Sequence, residues 1–306
     1  MTRRPPAGAI AASVRARLTD QARKRGEDVQ LVLLRFAIER LVFRLAQGKY
    51  RDQFVLKGAM LFSLWAPVPY RSTGDLDLLG EGDPTALRFV KIFREICMAK
   101  VPDDGVVFDG NSVTAEQARP DANYQGVLVQ MNATLAGARL RLRIDIGFGD
   151  IVTPQAQTID YPSLLDFPRP RLRAYPPETV VAEKLEALVT LGMRNSRMKD
   201  FLDIWVIANN FQFEGPILLQ AVASTFARRK TMAPVETPVA LTAAFTQDPT
   251  KQSQWRAFLG RSKIELARES LSEVVSFVEG FVTPILNAAR DGVPFNKVWT
   301  PGGPWS

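Results

Sequence analysis

The chain contains no histidine, and its 306 residues include a single cysteine, Cys97. The first absence removes Ser-His-Asp and Cys-His chemistry and every histidine-ligated metal site. The second excludes an internal disulfide and a cysteine-rich zinc site. Long apolar runs are missing too: nothing approaches the roughly 18–20 residues that span a bilayer. Residues 1–19 carry arginine without acid, as a transit peptide does, but they lack an apolar signal core and the helical pattern runs on past them. A cytoplasmic protein with no membrane partner is therefore expected. Any catalysis must rest on carboxylates, lysine, arginine, hydroxyls and bound metal.

What is present is a globular composition, 46% hydrophobic and 9% aromatic, with a net charge of +7. Residues 1–51 hold twelve Lys/Arg against four acids, a surplus of eight, so the remainder is close to neutral. A basic segment on a neutral body suggests a polyanionic partner such as nucleic acid.

Periodicity divides the chain. Residues 9–25 read as a basic amphipathic helix stopped by Gly26, and Asp28 caps a second helix reaching Gln47. Phe54-Val55-Leu56 reads as a strand, turned by Lys57-Gly58 into a helix from Ala59 to about Trp65 that Pro67 and Pro69 break. Pro84 opens a helix to Met98 with Leu87, Val90, Phe93 and Ile96 inward. Between Gly105 and Gly149 the period becomes two, giving strands over 106–113, 127–135 and 138–148, with a hairpin at Ala136-Gly137. A proline-rich loop follows over 150–177. Helices are expected over 178–191, 200–210, 216–229, 252–259 and 270–289, then an irregular tail. The fold class is α+β: a basic helical segment at 1–50, a mixed core at 51–150 and a mostly helical domain at 151–306.

Chemistry concentrates first at Tyr70-Arg71-Ser72-Thr73-Gly74-Asp75-Leu76-Asp77-Leu78-Leu79. Strand side chains alternate faces, so Asp75 and Asp77 share one side while Leu76 and Leu78 point to the core. Paired carboxylates repel unless a cation sits between them, and hard oxygen ligands favour Mg²⁺. Ser72 and Thr73 offer hydroxyls to a phosphate. Asp145, alternating with Ile144 and Ile146, could add a third carboxylate from a neighbouring strand, the set a two-metal phosphoryl-transfer site requires; the alternative is a solvated ion pair with Arg143. Lys57-Gly58 joins a strand to a helix start, where free N–H groups bind phosphate. Lys184 shares a helical stripe with Val181 and Leu188, so it either snorkels or meets an anion. Asp200 and Asp203 lie one turn apart on one helix face; capping explains Asp200 better than Asp203.

These pieces, in this order, resemble the AbiEii/AbiGii-type nucleotidyltransferase toxins of bacterial toxin–antitoxin systems. The resemblance runs from about Phe54 to Ile207, on Val55-Leu56-Lys57-Gly58, Arg71-Ser72-Thr73-Gly74-Asp75-Leu76-Asp77-Leu78, Ile144-Asp145-Ile146-Gly147-Phe148, Ala182-Glu183-Lys184-Leu185 and Arg197-Met198-Lys199-Asp200-Phe201-Leu202-Asp203. It implies a DNA-polymerase-β-like nucleotidyltransferase core with a helical C-terminal domain. It further implies that Asp75 and Asp77 hold Mg²⁺ and the triphosphate, that Ser72 or Thr73 touches phosphate, and that Lys184 binds the nucleotide. Asp200 or Asp203 would supply the remaining catalytic carboxylate. Related toxins add nucleotides to the acceptor end of tRNA, stop translation, and are silenced by a co-encoded antitoxin. One departure is visible: the family usually has Lys-Gly-Gly-Thr at the first loop, and here Ala59-Met60 replaces Gly-Thr. Rival readings are nucleotidyl transfer to a small molecule or protein hydroxyl, and a non-catalytic nucleic-acid-binding protein on the same core.

Overall fold

The computed structural model describes residues 8–65, 73–118, 126–262 and 270–306. The chain divides into two units, Met1–Gly149 with Gln157–Ala174, and Asp150–Ala156 with Tyr175–Ser306.

The first unit begins with α1 (Ala9–Lys24) and α2 (Val29–Gln47). The Asp28 side chain accepts from the Leu31 N–H at 2.9 Å, the cap the sequence called for. Then come β1 (Phe54–Lys57), a 3₁₀ turn (Gly58–Met60), α3 (Leu61–Trp65), β2 (Asp75–Gly80) and α4 (Ala86–Cys97). Three longer strands follow, β3 (Val106–Ala118), β4 (Gly126–Leu135) and β5 (Ala138–Phe148), then the short β6 (Gln157–Asp160) and β7 (Arg171–Ala174). All seven form one sheet in the order β3-β4-β5-β2-β1-β7-β6. The pairs β2·β5 and β1·β7 are parallel and the rest antiparallel. Ala136 and Gly137, both at positive φ, turn β4 into β5.

One sheet face is apolar. Phe54, Leu56, Leu76, Leu78, Ile144 and Ile146 are buried there, and α4 sets Phe89 and Phe93 against Phe54 at ring separations of 6.2 Å. The inward stripe of α4 is Phe89, Ile92, Phe93 and Ile96, whereas Leu87 is 79% exposed. The sequence reading put Leu87 inward by stepping in threes. At 3.6 residues per turn that step slips each turn, and nine residues leave Leu87 about 180° from Ile96.

The stretch expected as loop over 150–177 supplies β6 and β7, which extend the sheet through β1. Its anchor is on α2. Glu39 accepts from Ser163 Oγ at 2.6 Å and the Leu164 N–H at 2.8 Å, while Arg40 donates to the Pro168 carbonyl and lies over the Phe43 ring. Burial raises the Glu39 carboxyl above its ordinary pKa, against the opposing pull of Arg40. Arg44 grips Asp104 through two bonds of 2.7 and 3.0 Å. The basic N-terminal segment is thus in part a structural device: Arg40 and Arg44 are buried, and Arg17, Arg35 and Lys49 pair with Asp166, Glu27 and Glu95. Cys97 is half-buried, and burial pushes its thiol to about 11, far from a reactive thiolate.

The second unit contains α5 (Pro177–Leu191), α6 (Met198–Asn210), β8 (Phe213–Glu214), α7 (Gly215–Arg229), α8 (Ala243–Thr246), α9 (Pro249–Ser262), α10 (Leu271–Asp291) and β9 (Val298–Trp299). Ser270 and Glu273 form a capping box at the start of α10. The tail is largely irregular, as expected, but it is anchored. β9 pairs with β8, the Trp299 indole donates to the Ala208 carbonyl at 2.7 Å, and Trp305 stacks on Phe281. Two large aromatics thus fix a tail that three prolines keep out of regular structure. Among the described residues no helix is long and apolar enough to cross a membrane.

Removing one member of a buried ion pair leaves the other charge uncompensated. Asp104→Ala is expected to lower unfolding free energy by about 3–5 kcal/mol in urea titration. Arg17→Ala, which opens a pair whose members are 47% and 95% exposed, should change it by about 1 kcal/mol at most.

Candidate active site

The opposite sheet face is polar, and strand register assembles it. In β2, Asp75 is exposed and Asp77 half-buried, with Leu76 and Leu78 on the core side. Parallel pairing sets Asp75 beside Arg143 and Asp77 beside Asp145, while the antiparallel neighbour β1 brings Lys57 beside Asp77. One row across three strands therefore reads Lys57, Asp77, Asp145.

The turn after Lys57 approaches this row closely. Gly58 has φ 73°, and a Cβ there would lie 2.0 Å from Asp77 Oδ2. Only glycine both adopts this backbone and leaves room for the carboxylate. The neighbouring departures from the family loop, Ala59 and Met60, are buried in the 3₁₀ turn. Thr73 engages its hydroxyl locally, accepting from the Asp75 N–H and donating to the Asp75 carbonyl. Ser72 lies outside the described residues, as does the expected Pro67/Pro69 helix break.

The alternative weighed for Asp145, an ion pair with Arg143, is formed. Arg143 donates through Nε to Asp145 Oδ2 at 3.1 Å. Its pKa is raised, first by that hydrogen bond, then by attraction to Asp145 and, more weakly, to Asp75 and Asp77. One guanidinium thus bonds Asp145 and is drawn more weakly to Asp75 and Asp77.

The second unit holds a separate charged cluster. Lys184 on α5 reaches Asp200 Oδ1 at 2.8 Å and Asp203 Oδ2 at 2.6 Å, and both aspartates on α6 are fully buried. Arg197 adds a 2.6 Å contact to Asp200. Lys184 therefore meets anions from its own chain. A second cation, Arg229, bridges Glu186 at 2.8 Å, Asp150 at 3.4 Å and Glu183 at 3.6 Å, and stays firmly protonated despite its burial. Nothing local marks Arg229 in the sequence, because its partners lie 43 residues or more away along the chain.

Oxygen donors from Asp75 and Asp77 suit a hard divalent ion. Among the described residues no three His, Cys, Asp or Glu side chains gather in a ready metal cluster, and Asp145 is committed to Arg143.

The architecture is shared with JHP933 from Helicobacter pylori (14% identity, TM-score 0.50, covering 86% of this chain and 94% of that one). It is shared also with an H. pylori chain provisionally described as a nucleotidyltransferase (14% identity, TM-score 0.51, covering 87% and 99%). At that identity the likeness is one of fold. Residues 40–276 match the model of the nucleotidyl transferase AbiEii toxin family, of type IV toxin–antitoxin systems, and the chain belongs to that family. Membership implies an antitoxin partner. No curated protein matches the chain.

Gly58→Ala should cost about 1–2 kcal/mol for the left-handed backbone alone. It should also displace Asp77 and remove activity at temperatures where the variant remains folded, as followed by circular dichroism. Lys184→Met removes the ammonium shared by two buried aspartates, leaving Asp200 with Arg197, and should destabilise by about 3–5 kcal/mol in urea unfolding.

Proposed function

We propose that the protein transfers a nucleotide from a nucleoside triphosphate to RNA, at the acceptor end of tRNA, in a Mg²⁺-dependent reaction, and so inhibits translation. The observation that carries the reading is the alternation of Asp75 and Asp77 on the polar face of β2, with Asp77 packed against the Gly58 turn. Asp75 and Asp77 would hold the ion, with Asp145 next to them in register. When bound, such an ion neutralises charge on the phosphate under attack and on its leaving group. The Lys57-Gly58 turn, with Ser72 and Thr73, is assigned to the triphosphate. Arg143 orients Asp145 and tempers the repulsion among the three acids.

Lys184 is assigned to the nucleotide, and Asp200 or Asp203 to the base that receives the acceptor hydroxyl's proton. Both aspartates now hold the lysine, so in that role Lys184 exchanges one of them for a phosphate oxygen. Such an exchange keeps the ammonium paired throughout.

Purified protein given Mg²⁺, total RNA and each labelled nucleoside triphosphate in turn should label RNA of tRNA size. Asp75→Ala should lower that labelling by at least about a hundredfold. It should also abolish growth arrest in cells. Label found only in a protein or a small molecule would sink the tRNA assignment.

A further inference from the structure

Arg139, Arg141 and Arg143 alternate along β5, all exposed, on the face that carries Asp75 and Asp77. Arg143 lies opposite Asp75, and the next position of β5 on this face is Asp145, opposite Asp77. The arginines therefore form a ladder leading straight off the carboxylate row. At 3.4 Å per residue, Arg141 stands about 6.8 Å and Arg139 about 13.6 Å beyond Arg143.

The surroundings leave this charge available. On β4 the facing positions are Gln130, Asn132 and Thr134, all neutral. Arg141 donates to Gln130 Oε1 at 2.8 Å, and among the described residues no carboxylate pairs with Arg141 or Arg139. The acids further along this face sit on β3. Asp109, opposite Asn132, accepts from the Asn111 N–H, and Glu116 lies opposite Leu128. The cations of α1 and α2, by contrast, are largely taken up by internal acids.

We propose that this ladder is the track along which the acceptor RNA's phosphate backbone lies, with its 3′ end delivered to Asp75 and Asp77. The proposal rests on RNA being the acceptor. A guanidinium fork matches phosphate oxygens, and a strand holds successive forks in fixed register. The 6.8 Å step is twice the roughly 3.4 Å rise per phosphate of a stacked strand. The neutral row of Gln130, Asn132 and Thr134 suits sugar and phosphate oxygens, contacts that fix position without reading sequence. An acidic protein could also use exposed arginines, but it has no need of a ladder that ends at the reaction's carboxylates.

The test uses the full chain and fluorescently labelled deacylated tRNA, with anisotropy recorded over a range of KCl concentrations. The double variant Arg139→Gln/Arg141→Gln should bind about tenfold more weakly. Its log–log salt slope should be shallower by about 1.4, two phosphates at roughly 0.7 each. Arg139→Lys/Arg141→Lys, which keeps the charge, should restore the slope, as a misfolded variant would not. Unchanged affinity and slope in the glutamine variant would overturn the ladder. So would wild-type protein that binds no RNA, or a glutamine variant that loses only its antitoxin. Labelling of RNA by the wild type is scored separately: RNA that binds through the ladder yet accepts no nucleotide refutes the acceptor reading and leaves the ladder standing.

Discussion

The register between β2 and β5 is the constraint on which the polar site depends. Parallel pairing puts Asp77 beside Asp145 and Asp75 beside Arg143, and nothing in those four side chains could enforce it alone. The other face enforces it. Leu76, Leu78, Ile144 and Ile146 are all buried, and a slip of one residue would put aspartate from β2, or arginine and aspartate from β5, into the core. Burying each such side chain contributes about 1.5–3 kcal/mol, so hydrophobic packing positions the hydrophilic row. Gly58 adds the third wall by letting the β1 turn close onto Asp77 without a clash.

Net charge is a poor guide to where this protein could meet a polyanion. The first 51 residues carry the surplus, yet Arg40 and Arg44 are sealed inside α2, each on a carboxylate and against an aromatic ring. Arg40 holds the Pro168 carbonyl, and Arg44 holds Asp104 and the Val106 carbonyl at the start of β3. On β5 Arg139, Arg141 and Arg143 are all exposed at regular spacing, and only Arg143 pairs with a carboxylate among the described residues. What matters to a phosphate is the desolvated or exposed state of each cation, not their sum.

Elements with strong periodicity were legible in the sequence. The alternation of β2 and β5, the Asp28 cap and the Ala136-Gly137 turn are local codes, and each appears within a few residues of where the pattern put it. β6, β7 and β9 were not legible. Each has four residues or fewer and is flanked by prolines, and each is ordered by distant partners: β1 for β7, α2 for the β6–β7 connection, α6 and α10 for the tail. The candidate residues were visible one at a time. Part of their grouping was visible as well: alternation put Asp75 and Asp77 on one face and offered Asp145 from a neighbouring strand, where register sets it beside Asp77. The Glu186–Arg229 pair had no local signal at all.

The chain keeps its acids in two physical states, and the difference bears on what each can do. Asp200 and Asp203 are fully buried, so their charge is tolerable only beside Lys184 and Arg197. A substitution at Lys184 therefore reports on folding and on nucleotide handling together, and loss of activity there identifies neither. Asp75 is exposed and Asp77 partly so, within electrostatic reach of Arg143. Their placement costs the fold little, because Leu76 and Leu78 secure the strand without them. Carboxylates that the core does not need, held in register and backed by a glycine, are the ones whose geometry asks for an explanation outside stability. For that reason the functional reading rests on Asp75 and Asp77 rather than on the more tightly bonded pair.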